Sequence, residues 1–502
     1  MTPLSAKDGS SWSLHIEPRT ASGASIGPRT GAAAPGAARV LVIGAGMAGL
    51  AAARILHDSG LQVTVLEARD RLGGRTWTDD SLGAPCDLGA SWIHGADENP
   101  LTDWAAAIGL PLVYTPTSRR RFYQDGAWRS QQQMMRACWR GVGAAALRMW
   151  LAGRQSQRRQ GRGGIATALA AAIDPLLDSP HLPLADRRFL AWVVATSEGV
   201  QGAPAELIDL GEWYPREATG VNAMPLGGYR CLIEDAAQGL DVRLRCPVGV
   251  IAHNRQGVTL HTGAGPIRAD AAVVTVPLSQ LKGGRLLFDP PLPPAKQAAI
   301  GAIGFGGDAV LNKVFLHFPH RFWPDMQDRC VAVPETPPQR GGFSNWVNAE
   351  PLLRKPILIG FASGRTAARL DREAEDQVIV DAAMRSLRRM FGRSIPDPSA
   401  YQLTRWLSDP WAGGSYSYAR VGSSDADRRQ YAAPVGGRVF FAGEAATGQD
   451  YGTVQAALLS GHRAAREVHA AFCCSEASDD GLPFGGFLNV HGGSAAQKRP
   501  TA

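Results

Sequence analysis

Apolar and polar positions fall into blocks of different period along the chain. RVLVI, starting at Arg39, is an unbroken apolar run that ends in glycines, as a strand buried on both faces would. The alanine-rich MAGLAAARILHDSG that follows carries Leu50, Ile55 and Leu56 and closes on Gly60, which predicts a helix with a glycine stop. LQVTVLEA, residues 61–68, reads as a second strand, so the unit is β-α-β. From 101 to 225 the pattern is helical, with Asn99 and Pro100 as a helix start and a basic glycine-containing loop at 154–164. Strand patterns return over 240–277, mixed elements fill 300–400, and GRVFFAGEAA (437–446) reads as another buried strand. A final helix covers 452–472. Strand-and-glycine elements at the start, middle and end, interrupted by helix-rich segments, predict two interleaved domains.

One strand poses a physical question. VLNKVFLHF, residues 310–318, alternates so that Lys313 shares a face with Leu311 and Phe315. A desolvated ammonium is costly, so a buried lysine needs partners; the alternative is a snorkelling side chain.

GAGMAG places Gly44, Gly46 and Gly49 in G-x-G-x-x-G spacing between the first strand and helix. Gly44 makes the tight turn, Gly46 lets backbone approach a pyrophosphate, and Gly49 packs helix on strand. The helix N-terminus offers free N–H groups and a positive dipole to phosphates. Glu67 ends the second strand, 18 residues after Gly49, placed to accept hydrogen bonds from a ribose diol. Gly73 and Gly74 then permit a second close approach, and Arg75 can reach a phosphate.

Composition narrows the class without deciding it. The 502 residues are 45% hydrophobic and 19% charged, as expected of a globular protein, with 58 glycines for tight turns. The formal charge of +7 is a weak signal for an anionic partner over so long a chain; a solvated face is the expectation for the basic stretch 136–162, with no nucleic acid bound. Seven cysteines without paired spacing fit reduced thiols in the cytoplasm. No apolar run reaches 18 residues, so no membrane span is predicted. Residues 1–38 are expected to be a disordered extension and 473–502 a tail.

RVLVIGAGMAGLAAARIL, VLEARDRLGGRT, DLGASWIHG and VFFAGEAA together resemble the flavin-containing amine oxidases, the group of monoamine oxidases, polyamine oxidases and lysine-specific histone demethylases. The resemblance runs from about 39 to 472 with the motifs in order. It implies an α/β fold in which a Rossmann-like FAD-binding domain (39–100, 226–290 and 402–472) interleaves with an α+β substrate-binding domain (101–225 and 291–401). It also implies a cofactor shell of Gly44, Gly46, Met47, Ala48 and Gly49; Glu67, Ala68 and Arg69; Gly73, Gly74 and Arg75; Gly89, Ala90, Ser91 and Trp92; and Val248, Trp406, Trp411, Gly443, Glu444, Thr453 and Val454. Three residues carry the expected chemistry: Lys313, bonded through a water to flavin N5; His94, beside the substrate channel; and Tyr416, facing the substrate carbon.

Departures from the subfamilies refine the expectation. Ser415 stands where monoamine oxidases carry a flavin-linking cysteine, which implies non-covalent FAD, and Thr453 stands where they have a tyrosine. Gln455 replaces a histidine common in polyamine oxidases and demethylases. No coiled-coil insertion interrupts the motifs, which favours a free amine over a protein lysine. The reading is an amine, most simply a polyamine, oxidised with dioxygen as acceptor; oligomeric state is not legible. Glu198, Glu206, Asp209 and Glu212 are candidate acids for a polycation. Three alternatives stay open: an amino-acid oxidase clamping a carboxylate with Arg120, Arg216 or Arg230, a dehydrogenase with another acceptor, and a non-catalytic FAD-bound interaction protein.

Overall fold

The computed structural model describes residues 13–15, 36–115, 120–160, 167–212, 221–324, 329–373, 375–448 and 450–472. Its nucleotide-type half is built on five parallel strands in the order Asp241–Arg243, Gln62–Leu66, Arg39–Ile43, Ala271–Val274, Val439–Phe441. Three of these come from distant parts of the chain, so the sheet is complete only when the strand Val439–Phe441 returns beside Ala271–Val274. The first helix, Met47–Asp58, packs against the closing helix, Val454–Phe472, through small residues. A Cβ on Gly461 would lie 2.4 Å from the carbonyl of Ala48 and 3.0 Å from the Ala51 Cβ. Close approach of these two helices therefore excludes a side chain at Gly461.

The other half is a seven-stranded sheet in the order Ala400–Leu403, Leu311–His317, Ile357–Ser363, Asn345–Asn348, Arg329–Ala332, Arg120–Gln124, Ala127–Ser130. The strand Leu311–His317 is sandwiched: Val314 and Leu316 enter one core, with Trp346 and Leu358, and Phe315 enters another, with Leu88 and Ile357. Helices Gln131–Ala137, Trp139–Gln160, Leu169–Leu177 and Leu184–Gln201 stand beside this sheet. The last of them stops at Gly202, whose φ of +57° closes the helix in the left-handed conformation. Asn99 caps Pro100–Ala107 by accepting from the N–H of Leu101, as its sequence predicts.

Packing moves several of the expected boundaries. Leu101, Ala105, Leu112 and Ala223 share one core with the first helix, and Ile300, Ile303 and Phe305 share another with the strands at 39–43 and 271–274. Segments 101–115, 222–225 and 291–305 thus pack with the nucleotide half, because their apolar faces meet its helices and sheets. Within the extension expected to lack structure, Ser13–His15 pairs antiparallel with Leu112–Thr115. The basic stretch begun as a loop at 154 instead continues the helix through Gln160; residues 161–164 and the tail 473–502 lie outside the described residues.

Substituting Gly461→Val should strain the two-helix contact and cost about 1–3 kcal/mol. A lower urea midpoint with unchanged slope is the expected measurement; an unchanged midpoint would mean that the helices can separate without penalty.

Candidate functional site

Every residue of the expected cofactor shell except Gly49, together with Lys313, His94 and Tyr416, lines one cavity of about 700 Å³. Gly49 stands behind the wall: a Cβ there would fall 1.9 Å from the carbonyl of Gly44. It sets the distance between helix and turn, and Gly44 turns at a φ of +108°. The helix Met47–Asp58 begins at the cavity wall without a side-chain cap, so its leading N–H groups are available to an anion. Gly46 bridges to Gly73, bringing the two glycine turns together. Glu67 is buried; its Oε2 accepts from the N–H of Ala45 at 2.7 Å and its Oε1 from the N–H of Arg69 at 2.8 Å. Each oxygen retains a lone pair for a ribose hydroxyl. The N–H of Cys246 donates to the Glu67 carbonyl at 2.8 Å, which brings the segment leading to Val248 beside the acid. This glycine-lined cradle with a helix N-terminus and a ribose acid fits a dinucleotide.

The arginines do something other than expected. Arg75 lines the cavity, but its guanidinium donates to Glu444 Oε1 at 2.8 Å and to the Ser415 carbonyl at 3.1 Å. A buried carboxylate is the stronger partner, so Arg75 is held at the wall by Glu444. Arg69 is held likewise, in a two-point pair with Asp409 at 2.8 Å. Glu444 also accepts from Ser417 Oγ at 2.6 Å and from the N–H of Gly452 at 2.9 Å, which ties down the turn before the closing helix. Burial pushes its carboxyl up, but Arg75 and Ser417 outweigh burial and hold it below the ordinary glutamate value.

Lys313 is buried and its Nζ has three acceptors: the Asp87 carbonyl at 3.0 Å, Ser91 Oγ at 2.6 Å and the Gly89 carbonyl. The ammonium has three hydrogens, so the loop 87–91 can engage all of them. Lys313 borders the cavity as expected, but as a clamp on that loop. Desolvation lowers its pKa, opposed by the Asp87 carboxylate. Burial raises Asp87, opposed by hydrogen bonding from Thr78 and by Lys313.

Leu311, Phe361, Trp406 and Tyr416 give the cavity an apolar, aromatic end, and Trp411 lines it beside the Arg69–Asp409 pair. His94 Nδ1 lies 3.1 Å from Asn222 Oδ1, which places the neutral ring's proton on Nδ1 and leaves Nε2 as the acceptor. The Tyr416 hydroxyl donates to the Gly199 carbonyl. Gln455 holds Asn99 and does not line the cavity.

The acids proposed for a polycation do not face this space. Glu198 accepts from the N–H of Ala205 at 3.1 Å and pairs with Arg340 at 3.4 Å; Glu206 pairs with Arg365 at 3.2 Å; Asp209 accepts from the N–H of Gly211 at 2.8 Å. Glu198 and Glu206 are taken by arginines far along the chain, and Asp209 by the N–H two residues on. The side chain of Glu212 and all of Arg216 lie outside the described residues; Arg230 pairs with Asp80 away from the cavity. Of the three candidate arginines, Arg120 lines it. Sequence reasoning missed Thr275–Pro277, Gln201, Asn222 and Phe361. Only the first group had a signal: it follows a predicted parallel strand, and ligands gather at the carboxyl ends of such strands.

Replacing Glu444→Gln should lower stability by ~2 kcal/mol at neutral pH through loss of the charged partner of Arg75. Because the folded pKa is depressed, its contribution is complete above the unfolded value of 4.5 and is lost as pH falls through the folded value. Urea midpoints across this range should fall less steeply for the variant; parallel curves would contradict the pairing.

The sequence matches the family described as flavin containing amine oxidoreductase over residues 47–469. It is 36% identical to "Polyamine oxidase 4" of Oryza sativa subsp. japonica, over 85% of this chain and 88% of that protein. Against "Polyamine oxidase 2" of Arabidopsis thaliana the identity is 35%, over 85% and 87%. "Lysine-specific histone demethylase 2" of Homo sapiens is 30% identical over 86% of this chain but only 53% of its own length. A solved putrescine oxidase bound to putrescine superposes with a TM-score of 0.68 at 21% identity, covering 86% of this chain and 99% of that one, which shows the fold. The chain belongs to the flavin containing amine oxidoreductases, FAD-dependent enzymes that oxidise amines.

Proposed function

We propose that this enzyme is an oxidase of small free polyamines that breaks a C–N bond, passes the electrons to dioxygen and works in the cytoplasm. One observation carries the reading: a single cavity joins the phosphate cradle at Gly44–Met47 to the aromatic end at Tyr416 and Phe361. An amine entering that end lies against the same space that fits the dinucleotide. The names of the plant relatives support polyamines as the class. The five described cysteines are free, which supports a reducing compartment.

FAD, when bound, would supply the two-electron acceptor for the hydride of the carbon beside nitrogen, with dioxygen as final acceptor giving hydrogen peroxide; water hydrolyses the resulting imine to a carbonyl product and an amine, which breaks the C–N bond. The chain's residues prepare the amine. His94 Nε2 takes the proton of the incoming ammonium, with Asn222 fixing the tautomer. Tyr416 and Phe361 exclude water and orient the alkyl chain. The Gly199 carbonyl, Gln201 and Asn222 offer neutral acceptors to a second amine along the chain. Ser415, whose Oγ accepts from the N–H of Leu311 at 3.1 Å, offers no thiol, so FAD is held without a covalent link. A second reading rests on Arg120: at the cavity wall it would suit an amine that also carries a carboxylate.

Anaerobic mixing with putrescine, spermidine, spermine and a set of amino acids decides between them. A polyamine should bleach the flavin and, in air, yield one peroxide per turnover. Bleaching by amino acids alone would favour the second reading, and a flavin that stays oxidised throughout would overturn both. Lys313→Met removes the cation from the cavity wall. It should slow reoxidation by dioxygen by ~10²-fold, well beyond its effect on reduction by the amine. Equal slowing of the two half-reactions would leave Lys313 as a structural clamp only.

A further inference from the structure

The basic segment faces solvent as expected, but much of that face is apolar. On the helix Trp139–Gln160, Gly141 and Ala145 are buried against the protein. The opposite, outward face carries Trp139 at 64% exposure, Leu147 at 57%, Trp150 at 54% and Leu151 at 46%. Their spacing of i, i+8, i+11 and i+12 forms one stripe, so this helix has apolar residues on both sides. Met135, at 42% exposure, extends the patch onto the preceding helix, Gln131–Ala137. Charge is just as uneven. Residues 126–173 contain eight arginines, no lysine and no acid. The chain's +7 less these eight charges leaves all other residues at −1.

We propose that the outward face of Trp139–Leu151 docks the enzyme onto an anionic lipid surface, the helix lying in the interface. Tryptophan and leucine fit the boundary between headgroup and acyl chain, and arginines beside them reach phosphates while their stems cover apolar surface. Arg140 already lies over the Trp139 ring, 5.6 Å from its centroid, within such a stripe. Nucleic acid would satisfy the arginines but leave the leucines and tryptophans in water. Among the described residues no helix is long and apolar enough to cross a membrane, so the helix would lie on the surface and not span it. The position is also functional: Gln131, exposed and first in the helix pair, lines the substrate cavity, so the cavity reaches the surface beside the docking face.

The test is co-sedimentation of the full-length holoenzyme with phosphatidylcholine vesicles, with and without phosphatidylglycerol. Binding should require phosphatidylglycerol and weaken as salt rises. Leu147→Ser with Trp150→Ser should lower binding at least about tenfold while flavin content and amine turnover in solution stay unchanged. Arg140→Gln with Arg148→Gln should lower binding and flatten its salt dependence. Three results would overturn the proposal: no binding to anionic vesicles, equal binding by the serine variant, or a concentration-dependent dimer that the serine variant abolishes. Tighter binding to duplex DNA than to vesicles would replace lipid with nucleic acid as the partner.

Discussion

An ammonium taken out of water must be compensated on the spot, and the arrangement around Lys313 follows from that requirement. Its strand belongs to the seven-stranded sheet, but its acceptors lie on the loop 87–91, which faces the nucleotide half. For the Asp87 and Gly89 carbonyls to converge on one nitrogen, that loop must turn them inward. It is held there from the other side: a Cβ on Gly89 would lie 1.7 Å from the Arg75 carbonyl. The Asp87 carboxylate is fixed in turn by Thr78 and by the N–H of Tyr229 at 3.1 Å. One buried cation therefore ties the two halves of the molecule at the cavity wall. Low dielectric strengthens its interactions with these acceptors, and the Trp92 ring lies beside it with its centroid 5.7 Å away.

Glu444 plays the opposite part with the opposite charge. Its oxygens gather Arg75, Ser417 and Gly452, from three separate segments. The buried anion and the buried cation stand on the wall of the same cavity, each satisfied by neighbours and neither left for solvent. A wall fixed by its own ion pair and hydrogen bonds leaves less to be ordered when cofactor and amine enter.

What was legible in the sequence was what is local. Gly44, Gly46, Gly49 and Glu67 sit within one β-α-β unit, so spacing alone assigns their places, and even Gly49, off the wall, has the packing role its spacing implies. The strand of Lys313 was legible as a buried lysine in need of partners, but not as a clamp on 87–91, because the partners are more than two hundred residues away. The same distance misled the reading of Glu198: an acid near the site invites a polycation, yet Arg340, 142 residues on, has already paired with it. Asn222 and Phe361 carry no motif and become site residues only when the sheets close. For the basic segment, the sequence showed charge but not orientation. The helix has apolar residues on two faces, and only packing decides which one the protein covers.

That orientation bears on how a cationic substrate and a cationic surface coexist in one enzyme. Positive charge spread evenly would repel a polyamine from every direction. Confined to one segment, it leaves the remaining residues at −1, and contact with an anionic lipid surface neutralises the arginines of that segment. The same surface concentrates cations from solution by its own negative potential. Docking by Trp139–Leu151 would therefore remove the local repulsion and place the opening beside Gln131 where amines accumulate. The apolar stripe, costly to solubility when taken alone, and the arginine bias serve a single geometry when read together.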